Sequence, residues 1–261
     1  KKTPEYEHEY LHRNSDRILL DLENISVNII PERHPNEPKG EHYRFLKQEG
    51  DIIFINTWYN CAESTLSTHG ISLMTLYENF RKVYSELDIA LEDISYYIPN
   101  VDFQKYKIDD VNNFMSKHQD KTKVYICNGD VKSNQAEPDY NFDNLIKTIA
   151  QTHKDTLFFI SNPTTIKSPN VIQNSTIIGL NCNELCENAY ISTFCDIVFG
   201  RNSGCHTFCF LKDNVTSTKP QTHICNVLSE RWSLEHYYKG LWGANKKIID
   251  TYDSQYNTTI L

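Results

Sequence analysis

No apolar stretch in this 261-residue chain approaches the length of a membrane span. The longest purely aliphatic or Phe runs, Ile52–Ile55 and Leu157–Ile160, fall far short of the roughly 20 residues that cross a bilayer. Net positive charge is also missing. With 26 Lys+Arg against 34 Asp+Glu the formal charge is −8, so the chain lacks the basic footprint that nucleic-acid binding requires. Nor is there a dense cysteine framework. The 8 cysteines have no CxxC pair, and Cys182/Cys186 and Cys205/Cys209 each enclose three residues, which is neither zinc-knuckle nor redox spacing. Cys61, Cys127, Cys195, Cys209 and Cys225 stand in or beside apolar runs, as reduced core thiols do. The opening residues Lys1–Glu5 lead into no apolar signal core, so the expected location is the cytoplasm.

Several catalytic signatures are absent as well. There is no G-x-x-x-x-G-K-[ST] phosphate loop, no G-x-G-x-x-G turn and no G-x-S-x-G nucleophile elbow, which removes the α/β-hydrolase reading. What the chain does have is 39% hydrophobic and 12% aromatic residues, enough for an ordinary core.

The pattern along the chain is α/β. Residues 1–50 are polar and broken by prolines, with short strands expected at Arg17–Leu22 and Ile25–Ile30 and a helical turn at Glu41–Gln48. The run 51–58 reads as a strand buried on both faces, and apolar positions from Leu73 to Leu87 have helix spacing. Tyr96–Pro99 reads as another strand, and Asp109–His118 as a short helix capped by Asp109. A boundary near Gln119 would give an N-terminal domain, 1–119, and a C-terminal domain, 120–261. In the latter, strands are expected at Val124–Cys127, Thr156–Ile160, Thr176–Leu180, Asp196–Phe199 and His223–Leu228. Helices are expected over 142–153 and, capped by Asn183, over Glu184–Phe194. Alternating short strands and helices imply parallel βαβ units in a doubly wound sheet.

Ligands of such sheets gather where the strands' carboxyl ends emerge. The loops to watch are therefore Asn56–Trp58, Asn128–Asp130, Ser161–Pro163, Asn181–Asn183 and Gly200–Gly204. Gly200-Arg201-Asn202-Ser203-Gly204 carries free backbone N–H groups, a hydroxyl and one cation, the parts a diphosphate needs. A plain tight turn is the alternative.

The segment Val124–Leu211 resembles the donor-binding, C-terminal half of sugar-nucleotide glycosyltransferases of GT-B architecture. The likeness is carried by Asn128-Gly129 after a strand, the strand end Ile160-Ser161-Asn162-Pro163, the amide-capped helix at Asn183-Glu184, and Asp196-Ile197-Val198-Phe199-Gly200-Arg201-Asn202-Ser203-Gly204. The run 51–60, DIIFINTWYN, followed by an amphipathic helix, resembles part of the acceptor half of bacterial surface-polysaccharide enzymes of that kind. One difference is plain: Asn202-Ser203-Gly204-Cys205-His206 stands where the heptosyltransferase branch carries D-T-G-x-x-H.

The resemblance implies two Rossmann-like halves, the first reduced. It also implies transfer of a sugar from a nucleotide-diphosphate donor to a glycan or lipid-linked acceptor, without cofactor or metal. Peripheral membrane association fits a lipid-linked acceptor. Arg201, Ser203 and Gly204 would cradle the diphosphate, with Asn128 and Gly129 flanking it. Asn162 and Asn183 would lie near base and ribose, and Glu184 would accept from a ribose hydroxyl. His206 is a second candidate for the phosphates. Asn56 and Trp58 would meet the acceptor, with a core aromatic as the alternative for Trp58. The acceptor hydroxyl needs a base, for which His69 and Glu63 are candidates; a polar loop residue is the alternative for His69. A non-catalytic nucleotide- or sugar-binding α/β module is the competing function.

Overall fold

The computed structural model describes residues 100–129, 131, 136, 142–179, 185–227, 233–237 and 245–251, together with four short strands near the N-terminus. The chain forms two compact units, Lys1–Tyr97 and Ile98–Leu261. In the first, β1 (His8–His12) pairs in parallel with β2 (Ile25–Ile29), and β3 (Leu46–Glu49) pairs antiparallel with β4 (Ile52–Ile55). One expectation changes there. Leu46–Gln48, read as part of a helical turn, is strand, the antiparallel partner of β4. Leu46, Lys47 and Gln48 pair with Ile55, Phe54 and Ile53, and this ladder holds them extended. The expected strands Arg17–Leu22 and Tyr96–Pro99 and the helix over 73–87 lie outside the described residues.

The second unit holds one six-stranded, all-parallel sheet. Its strands are β5 (Thr122–Cys127), β6 (Thr156–Ile160), β7 (Val171–Gln173), β8 (Ile197–Arg201), β9 (Gln221–Asn226) and β10 (Lys246–Thr251). They lie in the order β10-β9-β8-β5-β6-β7. Counted within this unit that is 6-5-4-1-2-3, the doubly wound Rossmann order, in which the winding reverses between the first strand and the fourth. The reversal falls between β5 and β8.

Alternation along the central strands explains why the sheet is covered on both faces. Val124, Ile126, Phe158, Ile160 and Phe199 point to one side and pack on Phe142, Leu145, Ile146 and Ile149 of α2 (Phe142–Thr152). Tyr125, Cys127, Phe159 and Val198 point to the other. They meet Val111 and Met115 of α1 (Asp109–Ser116), Ile178 of α3 (Asn174–Ile178) and Ile191 of α4 (Leu185–Thr193). Each such buried aliphatic or Phe side chain contributes about 1.5–3 kcal/mol. Because α1 shares this core, it belongs with the second unit.

Three further readings are corrected. Ile108, not Asp109, is the N-cap of α1; Asp109 and Asp110 sit in the first turn, where the helix dipole favours acidic side chains. Thr176–Leu180 is not a strand. The sheet edge is β7, whose Val171 pairs with Phe158, and the β-branched run after it winds into α3. Gly179, at φ 62°, ends that helix in the left-handed region and donates its N–H to Ser175 O. Gly200 and Arg201 are not loop residues but the last two of β8, paired with Cys127 and Cys225 and with Asn226. β10, unexpected from its Lys246-Lys247 start, completes the sheet edge.

Candidate functional site

The carboxyl ends of β5, β6 and β8 bring three of the flagged loops together. Gly200 lies in register with Cys127, so close that a Cβ would stand 2.4 Å from Cys127 O, and its φ is 149°. Only glycine fits. Arg201 follows, 2% exposed, with its guanidinium 5.0 Å from the centre of the Phe142 ring and Nη2 donating to Asn128 O at 3.4 Å. A guanidinium so placed is held by a cation–π contact on one side and a carbonyl on the other. The strand end is fixed on its outer side by Asn202 N–H donating to Asn226 O at 2.9 Å.

The chain then turns into the short helix α5 (Gly204–Thr207). Ser203 is its N-cap, with Oγ accepting from His206 N–H at 3.5 Å. Gly204 is exposed, and a Cβ there would meet nothing within 4 Å.

Across the reversal, Asn128 ties two strand ends together. Its Oδ1 accepts from Asn162 N–H at 2.8 Å and from Ser161 Oγ at 3.0 Å. Its own N–H donates to Ser161 Oγ at 3.2 Å, and Nδ2 donates to Asn162 O at 3.2 Å. Gly129 abuts the same side chain: a Cβ would lie 3.3 Å from Asn162 Oδ1. Asp143, at the start of α2, fastens the following residues. Oδ1 accepts from Thr164 Oγ1 at 2.5 Å, and Oδ2 accepts from both the N–H and the hydroxyl of Thr165. Burial pushes the Asp143 carboxyl up, but these donors outweigh it and hold the pKa below its ordinary value.

Replacing Asn128 by alanine leaves the Asn162 N–H and the buried Ser161 hydroxyl short of an acceptor. We expect a loss of about 1–3 kcal/mol, read as a lower urea midpoint at unchanged slope.

Six of the flagged residues, Asn128, Gly129, Asn162, Arg201, Ser203 and Gly204, thus share one edge. Asn56, Trp58, Glu63, His69, Asn183 and Glu184 lie outside the described residues. The Asn181–Asn183 loop also lies outside the described residues; what precedes it is α3.

His206 does not reach the surface of this edge. It is fully buried beneath the loop, its ring stacked on Phe210 at 5.7 Å and on His223 at 5.9 Å. Burial lowers its pKa to about 4, although the backbone carbonyls of Arg201 and Gly200 favour the proton. His223 is likewise buried and pushed well below its ordinary value by burial and by His206, and Nε2 lies 2.9 Å from Gln221 Oε1. Sequence reading missed this pair because a His beside a Gly-rich turn looks polar and accessible. The apolar spacing of His206 to Phe210, four residues on, was the available signal.

Four thiols of this unit are buried too: Cys127, Cys195, Cys209 and Cys225 are all 0% exposed and unbridged. Among the described residues, no group of three His, Cys, Asp or Glu is arranged to hold a metal ion. None of the described helices is long and apolar enough to cross a membrane.

Neither a protein-family model nor a curated protein sequence matches the chain. Among solved structures it is similar to the crystal structure of a glycosyl transferase family 9 protein from Veillonella parvula, at 10% identity and a TM-score of 0.40. The match covers 71% of this chain and 50% of the other, so this chain spans about half that protein's length.

Proposed function

We propose that the second unit binds the diphosphate of a nucleotide sugar in the crevice between the carboxyl ends of β5 and β8, and that the protein is a glycosyltransferase. The reading rests chiefly on one observation. The strand order reverses between β5 and β8, and the Asn128-Gly129 and Arg201–Gly204 segments meet there across a bond from Arg201 to Asn128 O. At that place in a doubly wound sheet a crevice forms by topology alone.

In this reading the exposed backbone at Gly204 takes the diphosphate, with the Ser203 hydroxyl beneath it. Arg201 acts from below: a guanidinium kept out of water has a stronger field at the crevice than one in solvent. The glycosidic bond from the sugar carbon to the diphosphate oxygen breaks. The acceptor hydroxyl oxygen forms the new bond and gives its proton to a base, His69 or Glu63. The departing diphosphate keeps the bonding electron pair, and its charge is met by N–H groups and Arg201 without a metal. Asn162, Asn183 and Glu184 serve the nucleoside, and Asn56 and Trp58 the glycan or lipid-linked acceptor. The first unit would form the acceptor half.

Calorimetry with UDP, GDP, CDP and ADP tests this. One of the four should bind, and Arg201→Ala with Ser203→Ala should weaken it at least thirtyfold, about 2 kcal/mol. Unchanged affinity in the double variant removes the crevice from consideration. Binding of a donor sugar with no hydrolysis or transfer assigns the competing role, a non-catalytic binding module.

A further inference from the structure

At the opposite, amino edge of the sheet, a cavity of about 550 Å³ opens between the starts of β8, β9 and β10. Its volume falls in the range of small-molecule pockets. Lys219, Lys246 and Lys247 line it, with Asp196 as the one carboxylate and Ile197 and Pro220 as apolar wall. That carboxylate is already engaged. Oδ1 lies 3.2 Å from Lys219 Nζ, and Oδ2 accepts the Lys123 N–H at 2.8 Å. Lys219 also donates to Phe194 O just past the end of α4, and Lys246 Nζ donates to Lys219 O.

Among the described residues, Lys246 and Lys247 have no carboxylate within ion-pair distance, although the chain as a whole carries −8. Local charge in the cavity is therefore that of three ammonium groups against one carboxylate. Lys246 is half-buried, and burial and the neighbouring Lys219 both disfavour its proton. Like charges gathered in a concave site repel one another until an anion joins them, and concavity focuses their field on it.

We infer that this amino-edge cavity is a second binding site, for a small phosphorylated molecule whose phosphate meets Lys246, Lys247 and Lys219. Ile197 and Pro220 would pack against the rest of the ligand. The site lies across the sheet from the crevice proposed for the donor, and it stands whether or not that crevice binds nucleotide.

The test uses the full chain and inorganic pyrophosphate as the charged probe, titrated by calorimetry at 50 mM and 500 mM salt. Pyrophosphate should bind at low salt, weaken at high salt, and lose at least tenfold in affinity in Lys246→Gln/Lys247→Gln. Lys247→Glu is a second variant at an exposed position with no bond to lose, so it keeps the test valid if the double variant misfolds. It should weaken binding by a similar factor. In the Arg201→Ala/Ser203→Ala protein, which removes any pyrophosphate held at the donor crevice, the binding that depends on Lys246 and Lys247 should persist at its wild-type affinity. No binding to wild type, or binding unmoved by either lysine change, overturns the inference. So does binding that is lost only in the Arg201→Ala/Ser203→Ala protein.

Discussion

Gly200→Ala is expected to cost about 3–5 kcal/mol, enough to unfold much of the second unit at ordinary temperature. Two separate effects add. At φ 149° an alanine is strained whatever the space around it, by roughly 1–3 kcal/mol. Its methyl would also stand 2.4 Å from Cys127 O and 2.7 Å from Cys127 Cβ. The obstruction is backbone, which cannot rotate away, so β5 and β8 must part where four of their residue pairs are in register. The fall in the urea midpoint measures the cost. Gly204→Ala is the control: its Cβ meets nothing within 4 Å, so stability should stay within about 0.5 kcal/mol of wild type. A Gly200→Ala protein as stable as Gly204→Ala would mean that the two strands are not packed this closely.

Acid should weaken the fold through the buried histidines. His206 is neutral in the native state down to about pH 4, whereas in the unfolded chain it takes a proton below about 6.5. Its folded pKa is the lower one, so its contribution is complete above pH 6.5 and is lost progressively as the pH falls toward 4. Across that window the loss approaches about 3 kcal/mol, and about 2 kcal/mol of it is gone by pH 5. His223 is shifted in the same direction and steepens the fall. Urea unfolding at pH 7 and pH 5 gives the size of the effect. In His206→Phe, which keeps a ring against Phe210, the pH dependence should flatten even if absolute stability changes. An equal slope in the two proteins would place the titration elsewhere.

Much of the second unit was legible because burial on both faces leaves an unmistakable run. Val124–Cys127, Leu157–Ile160 and Ile197–Phe199 have no solvent face to dilute them, and Phe142–Ala150 repeats at helix spacing against a single sheet face. Elements failed where local chemistry competed with context. Thr176-Ile177-Ile178 has strand-forming side chains, yet the edge position was taken by Val171–Gln173, and Gly179 ends the turn as a helix. Lys246-Lys247 hid a strand because an edge strand tolerates charge at its start. The crevice was half visible. Its glycines and amides stand out as turn residues, but their mutual bonds, Asn128 to Asn162 above all, depend on a strand order that no single segment encodes. His206 was misplaced for the same reason: what covers it comes from β9.

The buried thiols of the second unit offer the experimenter an intrinsic reporter. Cys127, Cys195 and Cys225 are fully buried, and burial raises the pKa of each, while Cys205 is partly accessible. Alkylating reagents attack the thiolate, so in the closed molecule these three are shielded twice, by access and by protonation. Pulse labelling followed by mass spectrometry would therefore time how often β5, β9 and the segment leading into β8 open to solvent, with no dye or tag introduced.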